Sequence, residues 1–285
     1  MSNKSNKLNT LDSLGVFSSL IEQILIHKKH AKIHSVFPNG FNLNFSGELV
    51  YVSSHQEGML SARGLTIDKK VFDLLHPHLT IGTQVRYRTN QMVFYTRPRV
   101  LTIEFTDRVT KDLKIIPLSK EILIKSKLKD ILENMNLFED SGFSKNQNLS
   151  NVYKDIHKIK TVKENHIKQL VGSGLGLTPT GDDFLQGLVF TEQLLKKSPH
   201  IQKVVENQLK VRSTTDVSLS YYEAIFEGYG NEPLILLVEA LKESSLKNIK
   251  QSLSLLQQYG ETSGYDLLMG ILTYLQIIIE DGMIY

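Results

Sequence analysis

The chain has 285 residues, of which 41% are hydrophobic and 22% charged, enough apolar material to bury the core of one large domain or two ordinary ones. A formal charge of +3, with pairs such as Lys28-Lys29 and Lys196-Lys197 scattered among acids, argues against a nucleic-acid partner. Cysteine is absent, which excludes disulfides and thiolate chemistry and fits a reducing cytoplasm, and the apolar runs Leu234–Val238 and Ile277–Ile279 are too short to span a membrane.

Met1–Thr10 is polar and lacks the apolar stretch of a signal peptide, so it is expected to be a disordered lead-in. Asp12–His30 carries Leu14, Phe17, Leu20, Ile21, Ile24 and Leu25 at helical spacing and predicts a helix. From about Lys32 to Ile116 the texture is that of short strands: Ile33–Phe37, Phe41–Phe45, Glu48–Ser53, Gln84–Arg88, Met92–Thr96 and Val100–Phe105. Asn39-Gly40 and Ser46-Gly47 supply turns, and Thr89-Asn90-Gln91 reads as a hairpin. From Pro117 onward helices are expected over Ser119–Met135, Val152–Leu170, Asp182–Lys197, Ile201–Val211, Asp216–Glu227, Glu232–Lys242, Leu246–Gln258 and Tyr265–Ile279, with Asp140–Asn151 as a polar linker. The fold class is therefore α+β. A lead-in and helix (residues 1–31) precede a β-rich barrel- or sandwich-like domain (32–116), and a helical domain (117–285) follows.

The least ordinary segment is Gly172–Asp183, followed by Phe184-Leu-Gln-Gly187. Its glycines permit close approach of a ligand to main-chain N–H groups, and Thr180 is placed to cap a helix beginning near Asp182. Such a loop favours anions, yet Asp182 and Asp183 repel a bare phosphate. Acids in a first turn also serve simply as dipole complement. A site holding both makes chemical sense where an amide NH₂ needs acceptors or a cation is recruited.

A second segment repeats the pattern. Ser263-Gly264-Tyr265-Asp266-Leu267-Leu268-Met269-Gly270 matches Thr180-Gly181-Asp182-Asp183-Phe184-Leu185-Gln186-Gly187 as Ser/Thr-Gly-x-Asp-apolar-Leu-x-Gly, with Thr178 and Thr262 ahead. The two helix starts are expected to face each other in one composite site, with Gly187 and Gly270 allowing close packing. Two capped helices with chance similarity are the plainer alternative. Arg212-Ser213-Thr214-Thr215-Asp216 is a third candidate: a cap for the next helix, or an Arg212 clamp on a carboxylate or phosphate. His55, His76, His78, His157 and His166 are read as solvated surface histidines, with His55 the first to check.

The loop Gly174–Gly187 is similar to the Gly-x-Gly-Leu-Thr-Pro-Ser/Thr-Gly-Asp-Asp signature of the AllH-type subunit family of oxamate carbamoyltransferase. The resemblance extends to Arg212–Ser220 and Gly260–Asp266, and more weakly to Ile33–Gly64. Thr180 stands where that family more often has serine, and Glu261 where it has a small residue or histidine. The Ser-Thr-x-Arg-Thr phosphate loop of aspartate and ornithine carbamoyltransferases is missing, so their fold is not implied. What the resemblance implies is a cytoplasmic subunit of an oxamate-type carbamoyltransferase in allantoin and purine nitrogen breakdown. It would work with other subunits, one of them acyl-CoA-synthetase-like, and move a carbamoyl group between oxamate and phosphate.

On that reading the N–H groups of Gly174, Gly176 and Gly181 are expected to bind an anionic oxygen that Thr178 and Thr180 orient. Arg212, Thr214, Thr215, Ser263 and Gly264 complete the substrate-binding set. Asp183 is the first choice for general base or amide acceptor, with Asp182 and Asp266 supporting it or holding a divalent cation such as Mg²⁺. The alternative is a non-catalytic scaffold or small-molecule-binding subunit of a multi-chain complex.

Overall fold

The computed structural model describes residues 10–97 and 99–281. The lead-in expected over Met1–Thr10 falls, but for its last residue, outside that range. Two compact units follow each other, Met1–Leu113 and Lys114–Tyr285.

The first unit is a closed barrel of strands β1 Thr10–Ser18, β2 His30–Phe37, β3 Gly40–Phe45, β4 Glu48–Ser54, β5 Gly64–Ile67, β6 Gln84–Arg88, β7 Gln91–Phe94 and β8 Leu101–Lys111, with helices α1 Ile21–His27 and α2 Lys69–Leu75. The strands pair in the order β1-β5-β4-β3-β2-β6-β7-β8, and β8 closes on β1. Closure satisfies every strand edge without a partner chain. Two turns are those the sequence predicts: Arg88 pairs with Gln91 across Thr89-Asn90, and Ser46-Gly47 turn with φ of 55° and 98°. The turn expected at Asn39-Gly40 falls one residue earlier, at Pro38-Asn39, because Gly40 already pairs with Phe37. Inside are Phe17, Phe41, Phe45 and Phe94, with Leu25 and Phe72 from the two helices.

The helix expected over Asp12–His30 is two elements. Thr10–Ser18 is a strand, and only Ile21–His27 is helical. Leu14 and Phe17 fit either period over so short a run, and parallel pairing of all nine residues with β8 decides the matter. Strand β5 and helix α2 had no counterpart among the expected elements.

The second unit is helical. Its elements are α3 Lys120–Lys125, α4 Leu128–Glu133, α5 Leu137–Asp140, α6 Gln147–Ile159, α7 Glu164–Leu170, α8 Thr180–Leu194 and α9 His200–Leu209. They continue with α10 Asp216–Phe226, α11 Glu232–Lys242, α12 Leu246–Gln257 and α13 Ser263–Asp281. Two expected long helices break where a lysine takes a left-handed conformation, Lys127 at φ 55° and Lys160 at φ 54°. Helix α8 is buried on nearly all sides, from Thr180 through Glu192. No helix among the described residues is long and apolar enough to cross a membrane.

Candidate functional site

The repeated octapeptides start α8 and α13, and those two helices cross at their shared glycines. A Cβ on Gly187 would strike the carbonyl of Leu267 and lie 3.0 Å from the Cα of Gly270. A Cβ on Gly270 would strike the carbonyl of Phe184 and lie 3.0 Å from the Cα of Gly187. Only glycine fits either position, so the crossing brings the two N-termini together. The first glycines serve the frame as well: Gly181 presses on the carbonyl of Leu170 at the end of α7, and Gly264 on that of Leu256 at the end of α12.

The two starts therefore face each other, as the repeat implies. Thr178 Oγ1 and Ser263 Oγ lie 2.7 Å apart. The Ser263 hydroxyl bears on the carboxylate of Asp183, and the Thr180 hydroxyl on that of Asp266. Each copy's hydroxyl thus serves the other copy's acid. A third strand of chain joins them. Gly142 donates its N–H to Asp266 Oδ1 at 2.9 Å and abuts Thr180 so closely that a Cβ would clash. The polar linker expected over Asp140–Asn151 is thus partly site wall and partly the start of α6.

Asp183 and Asp266 are 4% and 0% exposed, and in each the Oδ2 atom is buried without a hydrogen-bond partner. Burial pushes Asp183 well above the usual carboxylate range, aided by the charges of Asp266 and Asp182 and opposed by the Ser263 and Thr178 hydroxyls. Burial raises Asp266 to about 6, against the pull of Gly142 N–H and the Thr262 and Thr180 hydroxyls. Burial thus favours the protonated form in both acids, and more strongly in Asp183.

Asp182 has a different employment. Its carboxylate accepts from Gly172 N at 2.8 Å, from Tyr222 Oη at 3.0 Å and from the Thr214 hydroxyl. Those bonds fasten the Gly-rich loop and the Arg212–Asp216 segment to α8. Thr215 caps α10 through Ser218 N at 3.0 Å and donates to the Leu177 carbonyl. The N–H of Gly181, expected to meet a ligand, instead donates to Ser173 O at 2.8 Å.

A cavity of about 300 Å³ opens above this floor, lined among others by Gly174, Gly176, Thr178, Thr180 and Ser263. Gly142, Lys145 and Asn146, which have no distinguishing local pattern in the sequence, line it too. Asp183 and Asp266 lie beneath the lining hydroxyls rather than in it. Arg212 lines a neighbouring cavity of about 750 Å³. Of the histidines read as solvated, His55 is exposed, His76, His78 and His157 are partly exposed, and His166 is not solvated. His166 is buried and lies 3.0 Å from Asp155, and His55 sits 3.1 Å from Thr66 in the barrel.

The acids offer Mg²⁺ few protein ligands. Among the described residues no group of three or more His, Asp or Glu is arranged around a metal position. Asp183 and Asp266 each keep one buried oxygen without a partner, so a Mg²⁺ held there would take most of its ligands from water or phosphate.

Residues 170–275 match the family model of the oxamate carbamoyltransferase subunit AllH. The matched segment holds both octapeptides and the Arg212 segment, so the resemblance read from the Gly-Asp-Asp loop stands on the part of the chain that builds this site. The weaker likeness over Ile33–Gly64 lies outside the match. Comparisons with curated proteins and with solved structures gave no match. The family is that of a subunit, so a partner chain belongs to the assembly that its name describes.

Proposed function

We propose that this chain is the subunit that carries the carbamoyl-bearing ligand of an oxamate-type carbamoyltransferase, within allantoin and purine nitrogen catabolism. In the degradative direction a phosphate oxygen attacks the carbamoyl carbon of carbamoyl-oxamate. The bond from that carbon to the oxamate nitrogen breaks, giving carbamoyl phosphate, and the departing nitrogen takes up a proton. Two needs follow, donors for the oxygen that gains charge and an acid for the nitrogen.

The observation that carries the reading is the pair of unlike aspartates behind a floor of hydroxyls. Burial favours the protonated form of Asp183, the form that can give up a proton. Thr178 and Ser263, in contact with each other, stand between it and the cavity. The proton passes through those hydroxyls, and Asp183 acts through them as a buried acid in this direction and a base in the reverse. Asp266 fixes Thr180 and Gly142. Gly174 and Gly176 line the cavity, and in this reading their N–H groups receive the developing oxyanion. Partner subunits, one of them acyl-CoA-synthetase-like, complete the enzyme.

The test is to isolate the tagged chain gently from its host with the proteins that accompany it. Phosphate-dependent formation of carbamoyl phosphate from carbamoyl-oxamate is then measured. Activity is expected with partners present, and Asp183→Asn is expected to abolish it while the complex still assembles. Full activity of Asp183→Asn would leave this chain as a supporting subunit.

A further inference from the structure

We propose that the larger cavity beside the hydroxyl-lined one is an oxyanion site, with Arg212 and Lys168 as its cationic arms. The proposal rests on the transferase reading for its choice of ligand. The cavity holds about 750 Å³ and is walled by α6, α7 and the loop after α7. Its lining is rich in carboxamides, including Asn148 and Asn165, and it shares Asn146, Leu149 and Gly174 with its neighbour. The two chambers are therefore adjacent along the Gly-rich loop.

The charges in the chamber are unevenly spoken for. Its acid, Asp155, is exposed and accepts from His166 Nε2 at 3.0 Å, while Lys163 N–H donates to Nδ1 of the same ring. Arg212 contacts the Val171 carbonyl through Nε alone, at 3.5 Å, which leaves both terminal nitrogens as a fork without an acceptor among the described residues. Lys168 makes no hydrogen bond or ion pair among the described residues, although it lines the same wall. A planar fork and a point charge on one polar cavity match a carboxylate or a phosphate. The two anionic groups of the reaction, the oxamate carboxylate and phosphate, share that chemistry. A ligand anchored there by its oxyanion has its amide or carbamoyl end directed along the shared wall to Thr178 and Ser263.

The full chain, alone and in its complex, is titrated separately with inorganic phosphate and with oxamate by calorimetry. Arg212→Gln, Lys168→Gln and their double variant are compared with Lys210→Gln, an exposed charge-matched control. The double variant is expected to weaken binding about tenfold or more, the loss that follows removal of charge-assisted hydrogen bonds, with the control unchanged. Loss for oxamate alone assigns the site to the carboxylate, loss for phosphate alone to phosphate, and loss for both to one site that takes each in turn. Unchanged affinity for both in the double variant overturns the site, as does failure of both anions to bind the native chain. Turnover is scored apart. Weakened anion binding without any carbamoyl transfer removes the transferase reading and leaves the site. Intact turnover with unaltered affinity removes the site and leaves the transferase.

Discussion

The helix start at Thr180 and the one at Ser263 are built alike, yet the first has Asp182 where the second has Tyr265. Everything common to both copies serves the frame and the facing acids: the hydroxyl that opens the helix, the glycine against the preceding helix, the acid one turn in, and the glycine at the crossing. Thr180 does not cap α8 as expected; Pro179 holds that place without a side-chain bond, and the Thr180 hydroxyl goes to Asp266. The odd residue serves something local. Asp182 is wholly buried and collects three donors, whereas Tyr265 is only partly buried on the rim of its copy. Repetition thus marks what the composite site needs, and the departure marks what one loop needs to stay folded.

The crossing is the most sensitive part of that comparison. Gly187→Ala and Gly270→Ala are each expected to cost about 2–3 kcal/mol of stability, since the new methyl meets backbone on the opposite helix. Their effects should not add, because both act on one contact. Urea unfolding of the two single variants and the double measures this. A tolerated alanine in either copy would show that the helices do not depend on touching there.

Asp182→Ala against Tyr265→Ala sharpens the difference between copies. The first strands Gly172 N–H and the buried Tyr222 hydroxyl and is expected to cost about 2–3 kcal/mol. The second truncates a partly exposed ring and should cost about 1 kcal/mol or less. Equal costs in thermal unfolding would mean that Asp182 is no special fastener.

Much of this frame was legible in the chain. The Ser/Thr-Gly-x-Asp-apolar-Leu-x-Gly repeat gives the facing starts and the close crossing, because a glycine at fixed offset inside a helix has few other reasons to be there. Two hairpin turns of the barrel were equally plain. What escaped depends on partners far away in sequence. Thr10–Ser18 has an apolar spacing that suits a helix, and only β8, some ninety residues on, makes it a strand. Gly142 sits in a stretch that looks like linker, and its bond to Asp266 spans 124 residues. The aspartates were legible as acids but not as a pair of unequal proton affinity, since depth and neighbours set that difference.

A pH experiment tests the inequality. The Asp266 carboxyl titrates at about 6 in the folded chain against 3.8 for an unperturbed aspartate. Between those values the folded state binds more protons than the unfolded one, so this group's contribution is present at low pH and lost as pH rises through 6. Asp266→Asn keeps an acceptor for Gly142 N–H and removes the titration. Stability from pH 4 to 6, measured by chemical unfolding, is therefore expected to fall less steeply in the variant than in the parent. Parallel curves would show that Asp266 is not raised.

The smallest effects discriminate best, because they read the exchange of hydroxyls between copies. Ser263→Ala and Thr180→Val each remove one hydroxyl from a carboxyl, at an expected cost of about 1 kcal/mol. The Ser263 hydroxyl lowers Asp183, so its removal should raise Asp183 further and leave Asp266 near 6. The Thr180 hydroxyl lowers Asp266, so Thr180→Val should move Asp266 above 6. Carboxyl carbon shifts followed by NMR across pH report each acid by itself. A crossed response, each variant moving the acid of the other copy, is what two interleaved helix starts demand. An uncrossed one would mean that each copy's hydroxyls serve only its own acid, and a proton on Asp183 would then have no route through Ser263 to the cavity.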